Sequence, residues 1–113
     1  MEDCLFCKII KGEIPATKVY EDDDMVIFKD IDPKAKNHHL CVPKNHFKLL
    51  ADMTEEQSKL LLKCFQKIPT LVNELELENG YRLVINQGDD AGQSVFHLHI
   101  HILSGQKMGW TPA

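Results

Sequence analysis

Residues 95–103 read Val-Phe-His-Leu-His-Ile-His-Ile-Leu, and no other stretch of the chain leaves so little conformational freedom. Apolar residues and histidines alternate with a period of two, which is the period of a β-strand. As a strand, residues 95–103 carry His97, His99 and His101 on one face and Phe96, Leu98, Ile100 and Ile102 on the other. Burying the apolar row pins the register, because a slip of one residue would drive three imidazoles into the core. Adjacent imidazoles then stand roughly 6.5–7 Å apart at the backbone and can cooperate at one site. His97 and His101, about twice as far apart, are expected to serve different purposes. A plain H-x-H metal site and a surface strand without chemistry are the competing readings.

The segment just upstream favours phosphate chemistry. Asn86 to Ser94 carries Gly88 and Gly92, whose missing Cβ lets backbone N–H groups approach an anion. Asn86, Gln93 and Ser94 add side-chain donors. Such a loop beside a histidine row suits an α-phosphate, although a glycine-bearing loop by itself is usually only a turn.

The other elements follow from pattern and punctuation. Residues 4–11 read as a short helix capped by Asp3 and ended by Gly12, with Leu5, Phe6, Ile9 and Ile10 on its apolar side. Thr17 to Glu21 and Met25 to Asp30 read as strands, with Asp22-Asp23-Asp24 as a solvated turn. His39 to Pro43 reads as a third strand and Tyr81 to Asn86 as a fourth. Thr54 opens a long helix, and Gln57 completes a capping-box pattern. Leu61, Cys64, Phe65, Ile68, Leu71, Val72 and Leu75 fall at helical spacing, Pro69 should kink or split the helix, and Asn79-Gly80 should stop it. The expected fold is α+β: an antiparallel sheet of about five strands with one long and one short helix.

Composition bounds the function. The 113 residues make one domain, 1–113, and 43% apolar content is globular. A net charge of -4 argues against a nucleic-acid binder that neutralises phosphates, but not against a mononucleotide ligand. No signal peptide or membrane-length apolar run is visible, so a cytoplasmic protein without membrane contact is expected. Four cysteines fit a reducing compartment. Cys41 and Cys64 sit in apolar stretches, whereas Cys4-x-x-Cys7 suggests a metal site, a redox motif or two buried thiols. Redox pairs of the thioredoxin kind follow a strand, and this pair opens the chain.

His97-Leu98-His99-Ile100-His101-Ile102-Leu103 resembles the histidine triad signature, and the resemblance runs over nearly the whole chain. Cys4 to Ile10, Glu13 to Ala16, Asp30 to Pro33, Val42 to His46, Gly80 to Val84 and Gly92 to Val95 look like the family's other motifs. Met108-Gly109-Trp110 resembles the tail of its nucleotide-binding-protein branch, the Hint proteins. The resemblance implies a nucleoside phosphoramidase that releases an amine from an adenosine or guanosine 5′-monophosphate conjugate through a nucleotidyl-histidine. It implies a homodimer with one sheet continued across the interface. Residue by residue, it makes His99 the nucleophile, with His101, His38, Ser94, Asn86 and Gly92 around the phosphate. Asp30 is implied to hold the ribose hydroxyls, and Phe6, Ile9, Phe28, Ile31 and Leu40 to form the nucleoside pocket. Trp110 is implied to reach towards the partner's site, although a tail Trp more often packs on its own domain. Lys29 and Asp32 stand where other members differ. The zinc-bearing members complete a Cys-x-x-Cys pair with two histidines, here His46 and His97, so a structural zinc on Cys4, Cys7, His46 and His97 is implied. A dinucleoside polyphosphate hydrolase and a nucleotide-binding regulatory module without turnover are the alternatives.

Overall fold

A computed structural model describes residues 3–110. Five antiparallel strands form one sheet: β1 Lys18–Glu21, β2 Met25–Lys29, β3 Asn37–Pro43, β4 Tyr81–Val84 and β5 Ile100–Ser104, in the order β1-β2-β3-β5-β4. Helix α1, Leu5–Ile10, opens the chain. The long helix splits at Pro69, as its missing N–H and ring require. α2 spans Glu55–Lys67, a 3-10 turn Ile68–Thr70 follows, and α3 is Val72–Leu75.

Two apolar layers sandwich the sheet. On one face, Leu98, Ile100 and Ile102 join Met25, Ile27 and Cys41 beneath Leu61, Cys64, Ile68, Leu71 and Leu75. On the other, Val26, Phe28, Leu40 and Val42 are covered by Phe6 and Ile9 of α1. β2 and β3 are central and buried on both sides, which explains their nearly continuous apolar runs. The capping box forms as expected: Thr54 Oγ1 accepts from the Gln57 N–H, and Gln57 Oε1 accepts from the Thr54 N–H. Asp22 closes the β1–β2 hairpin by accepting from the Asp24 and Met25 N–H groups, so the acidic run is a turn.

Four expectations need correction. Cys4, rather than Asp3, caps α1 and accepts from the Cys7 N–H through its sulfur. α3 ends at Glu76, which takes the left-handed conformation at φ 54°, before Asn79-Gly80 is reached. Phe65 and Val72 remain partly exposed, because the helical stripe is wider than the face the sheet can cover. The largest correction concerns the histidine run: pairing in β5 begins only at Ile100. Leu98 instead donates its N–H to the Phe47 carbonyl at 2.7 Å, and Phe96 is half exposed. The run leaves the ladder early yet keeps its alternation, with Leu98 on the helix side and His97 and His99 opposite.

Candidate active site and metal site

The face under α1 gathers the histidines. His38 on β3 and His101 on β5 share it through the register Leu40↔His101 and His38↔Leu103. His99 follows His101 along the same side, with ring centroids 4.9 Å apart, and Phe6 meets the His99 ring edge-on at 5.0 Å. Phe6, Ile9, Phe28 and Leu40 come together in one buried cluster beside these rings, whereas Ile31 is fully exposed.

The hydrogen-bond partners assign each imidazole its tautomer. His99 Nδ1 lies 2.8 Å from the His97 carbonyl, so Nδ1 carries the proton and Nε2 keeps its lone pair. The Lys34 N–H donates to His38 Nδ1 at 2.9 Å, which leaves the His38 proton on Nε2. That Nε2–H faces His101 Nδ1 at 2.9 Å, so His101 accepts there and carries its own proton on Nε2. The result is a free lone pair on His99 beside an N–H donor on His101. Burial keeps these rings neutral. It lowers the His99 and His38 values and brings His101 down to about 4. Asp30 Oδ2 lies 3.4 Å from His38 Nε2, but with His38 neutral this is not an ion pair. Asp30 Oδ1 accepts from the Asp32 N–H.

The loop before the histidines is held by Gln93, which the sequence suggested as a phosphate donor. Its polar atoms are used inside the protein: Oε1 accepts from the Gly88 N–H, and Nε2 donates to the Lys48 and Val95 carbonyls. Gly88 and Gly92 take φ 85° and 77°, conformations that side chains disfavour. Asn86 is partly buried and Ser94 exposed beside this brace. Trp110 stands free at 92% exposure, and tail residues 111–113 lie outside the described residues.

His97 points away from this group. Its Nε2–H donates to the Pro43 carbonyl at 2.8 Å, so a bare Nδ1 faces Cys4 Sγ at 3.4 Å and Cys7 Sγ at 3.6 Å. His46 Nδ1 completes the set at 3.3 Å from Cys7 Sγ. All four ligand atoms lie within 4.8 Å of one another. A tetrahedral ion with bonds of roughly 2.0–2.3 Å puts its ligands about 3.3–3.8 Å apart, so the spacing fits a metal such as zinc. Burial, with Cys4 alongside, pushes the Cys7 thiol up to about 11, a charge problem that a bound cation would relieve. Asp30, His38 and His101 also cluster. There, however, two ring nitrogens face each other at 2.9 Å, a hydrogen-bond distance and closer than the roughly 3.3 Å that two nitrogen ligands of a tetrahedral ion require.

Two surface cavities lie elsewhere, one of about 280 Å³ between the β1–β2 turn and α2, the other of about 530 Å³ near Gly80 and Gly105. Neither is lined by a histidine or a cysteine, so chemistry rather than volume marks the site.

Residues 3–111 match the family model described as "Scavenger mRNA decapping enzyme C-term binding". The protein HitA of Neisseria gonorrhoeae is 50% identical over 103 residues, 91% of this chain and 96% of that protein. The chain belongs to the HIT (histidine triad) family. An uncharacterized HIT-like protein of Synechocystis is 45% identical over 98% of this chain and 97% of its own length. Among solved HIT proteins, a HIT family hydrolase from Legionella pneumophila has a TM-score of 0.90 at 43% identity, covering 98% of this chain and 100% of that one. Another from Clostridium thermocellum has a TM-score of 0.93 at 41% identity, covering 100% and 99%. HIT membership accounts for the α+β architecture and for the histidine run.

Backbone groups did much of what the sequence reading missed. The Lys34 N–H and the carbonyls of His97 and Pro43 set three tautomers, and no residue-type signal announces a main-chain partner.

Proposed function

We propose that this HIT protein is a nucleoside phosphoramidase of the Hint type, working as a single domain over residues 1–113. The observation that carries the reading is the pairing of a bare His99 Nε2 with a protonated His101 Nε2 on one buried, neutral surface. A neutral imidazole is a competent nucleophile near pH 7. His99 Nε2 attacks the α-phosphorus of an adenosine or guanosine phosphoramidate, and the phosphorus–nitrogen bond breaks. The His97 carbonyl stabilises the positive charge that develops on the His99 ring, because it already accepts the Nδ1 proton. His101 Nε2–H and the Asn86–Gly92 loop stabilise the phosphoryl oxygens. Ser94 delivers the proton that lets the amine leave. Water then displaces His99 and releases the monophosphate, and the proton the water loses restores the Ser94 hydroxyl. Asp30 holds the ribose, and Phe6, Ile9, Phe28, Ile31 and Leu40 bound the nucleoside. Cys4, Cys7, His46 and His97 would hold a structural zinc that ties α1 to the histidine run and takes no part in the reaction. Exposed Leu62, Phe65 and Tyr81, with the open edge of β4, supply apolar surface and unpaired backbone for a homodimer.

Turnover of an adenosine phosphoramidate measured beside a diadenosine polyphosphate tests the reaction class. The phosphoramidate is expected to be preferred by a large factor. Preference for the polyphosphate would assign the chain to another HIT activity, and turnover of neither would leave a binding module. Light scattering at micromolar concentration should give twice the chain mass.

A further inference from the structure

The chain has four cysteines, and the cluster with His46 and His97 takes two of them. The other two, Cys41 on β3 and Cys64 on α2, meet in the core on the opposite side of the sheet, and neither has any exposed surface. The Cys64 thiol is within hydrogen-bond reach of the Cys41 thiol, and that contact, with burial, raises Cys41 well above its ordinary value and holds it as a thiol. β2 brings a third sulfur. Ile27 pairs with Cys41 and Met25 with Pro43, so Met25 is the diagonal neighbour of Cys41 on the same face. The Cys41 thiol points at Met25 Sδ at 3.8 Å. Two thiols and a thioether make a donor set for a soft cation, and the thioether favours the monovalent copper class over harder ions. A trigonal ion with metal–sulfur bonds of roughly 2.3 Å holds its ligands about 4.0 Å apart, so the Cys41–Met25 spacing has to open by only about 0.2 Å. An entry path is also present. The cavity of about 280 Å³ between the β1–β2 turn and α2 is lined by Met25 together with Asp22, Lys63 and Lys67. Met25 thus touches the cavity on one side and Cys41 on the other, and its unbranched, flexible side chain can swing to admit an ion.

We propose that Met25, Cys41 and Cys64 form a second metal site, an all-sulfur site for a soft monovalent cation such as copper(I) or silver(I), entered through the cavity that Met25 lines. As the ion binds, each thiol gives its proton to solvent and its sulfur bonds to the metal, with no change of oxidation state. Two thiolates and one monovalent cation leave a single negative charge, opposed by Lys63 and Lys67 on the cavity wall. The site differs in kind from the Cys4, Cys7, His46 and His97 cluster, which offers two imidazoles and no thioether.

The test loads the full chain with zinc and then titrates it anaerobically with copper(I) from a glutathione buffer. Native mass spectrometry should find about one copper per chain beside the retained zinc. X-ray absorption at the copper edge should show three sulfur scatterers at roughly 2.3 Å and no nitrogen. Cys41→Ala and Cys64→Ala should each lose the copper and keep the zinc, with circular dichroism checking that they fold. Met25→Leu conserves volume and keeps the question open should either cysteine variant fail to fold. It should reduce the shell to two sulfurs and weaken copper binding by at least about tenfold, since even residues that only support a metal ligand cost that much. A wild-type chain that takes up no copper overturns the site, and the three sulfurs are then core packing alone. Copper that displaces the zinc and shows nitrogen scatterers has gone to the Cys4 and Cys7 cluster, which overturns it equally. An unchanged shell and affinity in Met25→Leu overturns the three-sulfur assignment.

Discussion

Two histidine clusters sit four residues apart on one run, and they are wired in opposite senses. At His97 the main chain takes the Nε2 proton and leaves Nδ1 bare towards two sulfurs. At His101 the bare Nδ1 is already filled by a hydrogen bond from His38, so the free nitrogen is a donor. One cluster is arranged to grip a cation, the other to present a fixed N–H donor. His99 stands between them with its proton spent on the His97 carbonyl, which makes it the one ring whose lone pair is free towards the site. The same side chain is presented in three ways, two set by main-chain carbonyls and the third by the His38 ring.

The largest effect expected is at His99. His99→Ala should still fold and bind nucleoside monophosphate, while turnover falls by at least about a thousandfold, as for removal of a covalent nucleophile. Acid quench with labelled phosphoramidate should leave label on the peptide that carries His99. Near-wild-type turnover of His99→Ala would falsify the nucleophile assignment.

The metal cluster should respond in stability instead. Elemental analysis is expected to find about one zinc per chain. His97→Ala or a strong chelator should lower Tm by about 10 °C, since metal binding free energy is folding free energy. A protein that carries no metal when purified without chelator, with both Cys4 and Cys7 freely titratable, would collapse the contrast between the clusters.

Acid should unsettle the donor cluster. His101 has a folded value of about 4 against an ordinary 6.5, because burial disfavours its charged form. The unfolded chain therefore binds more protons between those values, and stability falls as pH drops. The contribution of His101 is fully present above about pH 6.5 and is lost between 6.5 and about 4, by at most about 3 kcal/mol. In urea titrations from pH 7 to 4, His101→Phe should show a flatter decline than the wild type. Parallel declines would mean that His101 is not held neutral.

How much of this was legible in the sequence depends on which atoms carried the information. Side-chain periodicity announced the layer under the long helix: Leu98, Ile100 and Ile102 go under it as the alternation required, and Thr54 and Gln57 cap α2 as their spacing required. The metal-type quartet was reachable only through the family resemblance, since Cys4 and His97 lie 93 residues apart. The early end of the β5 ladder was not legible, because the Phe47 carbonyl that captures Leu98 competes from a distant loop. Gln93 was read as a ligand donor because an amide's type does not reveal whether its own loop will use it first.

The smallest effect is the most discriminating about the donor cluster. His38 accepts from the Lys34 N–H and donates to His101 Nδ1, and nothing in this geometry requires it to change charge. A glutamine can reproduce that pattern with its own oxygen and N–H₂. His38→Ala should free His101 to adopt the other tautomer and cost about tenfold in kcat, at the low end for a misplaced proton donor. His38→Gln should recover most of it, to within about threefold of the wild type, with the pH–rate profile unchanged. If the glutamine variant is as slow as the alanine one, or if its acid limb shifts, then His38 carries a proton itself during turnover, and the donor cluster is a relay rather than a fixed tautomer.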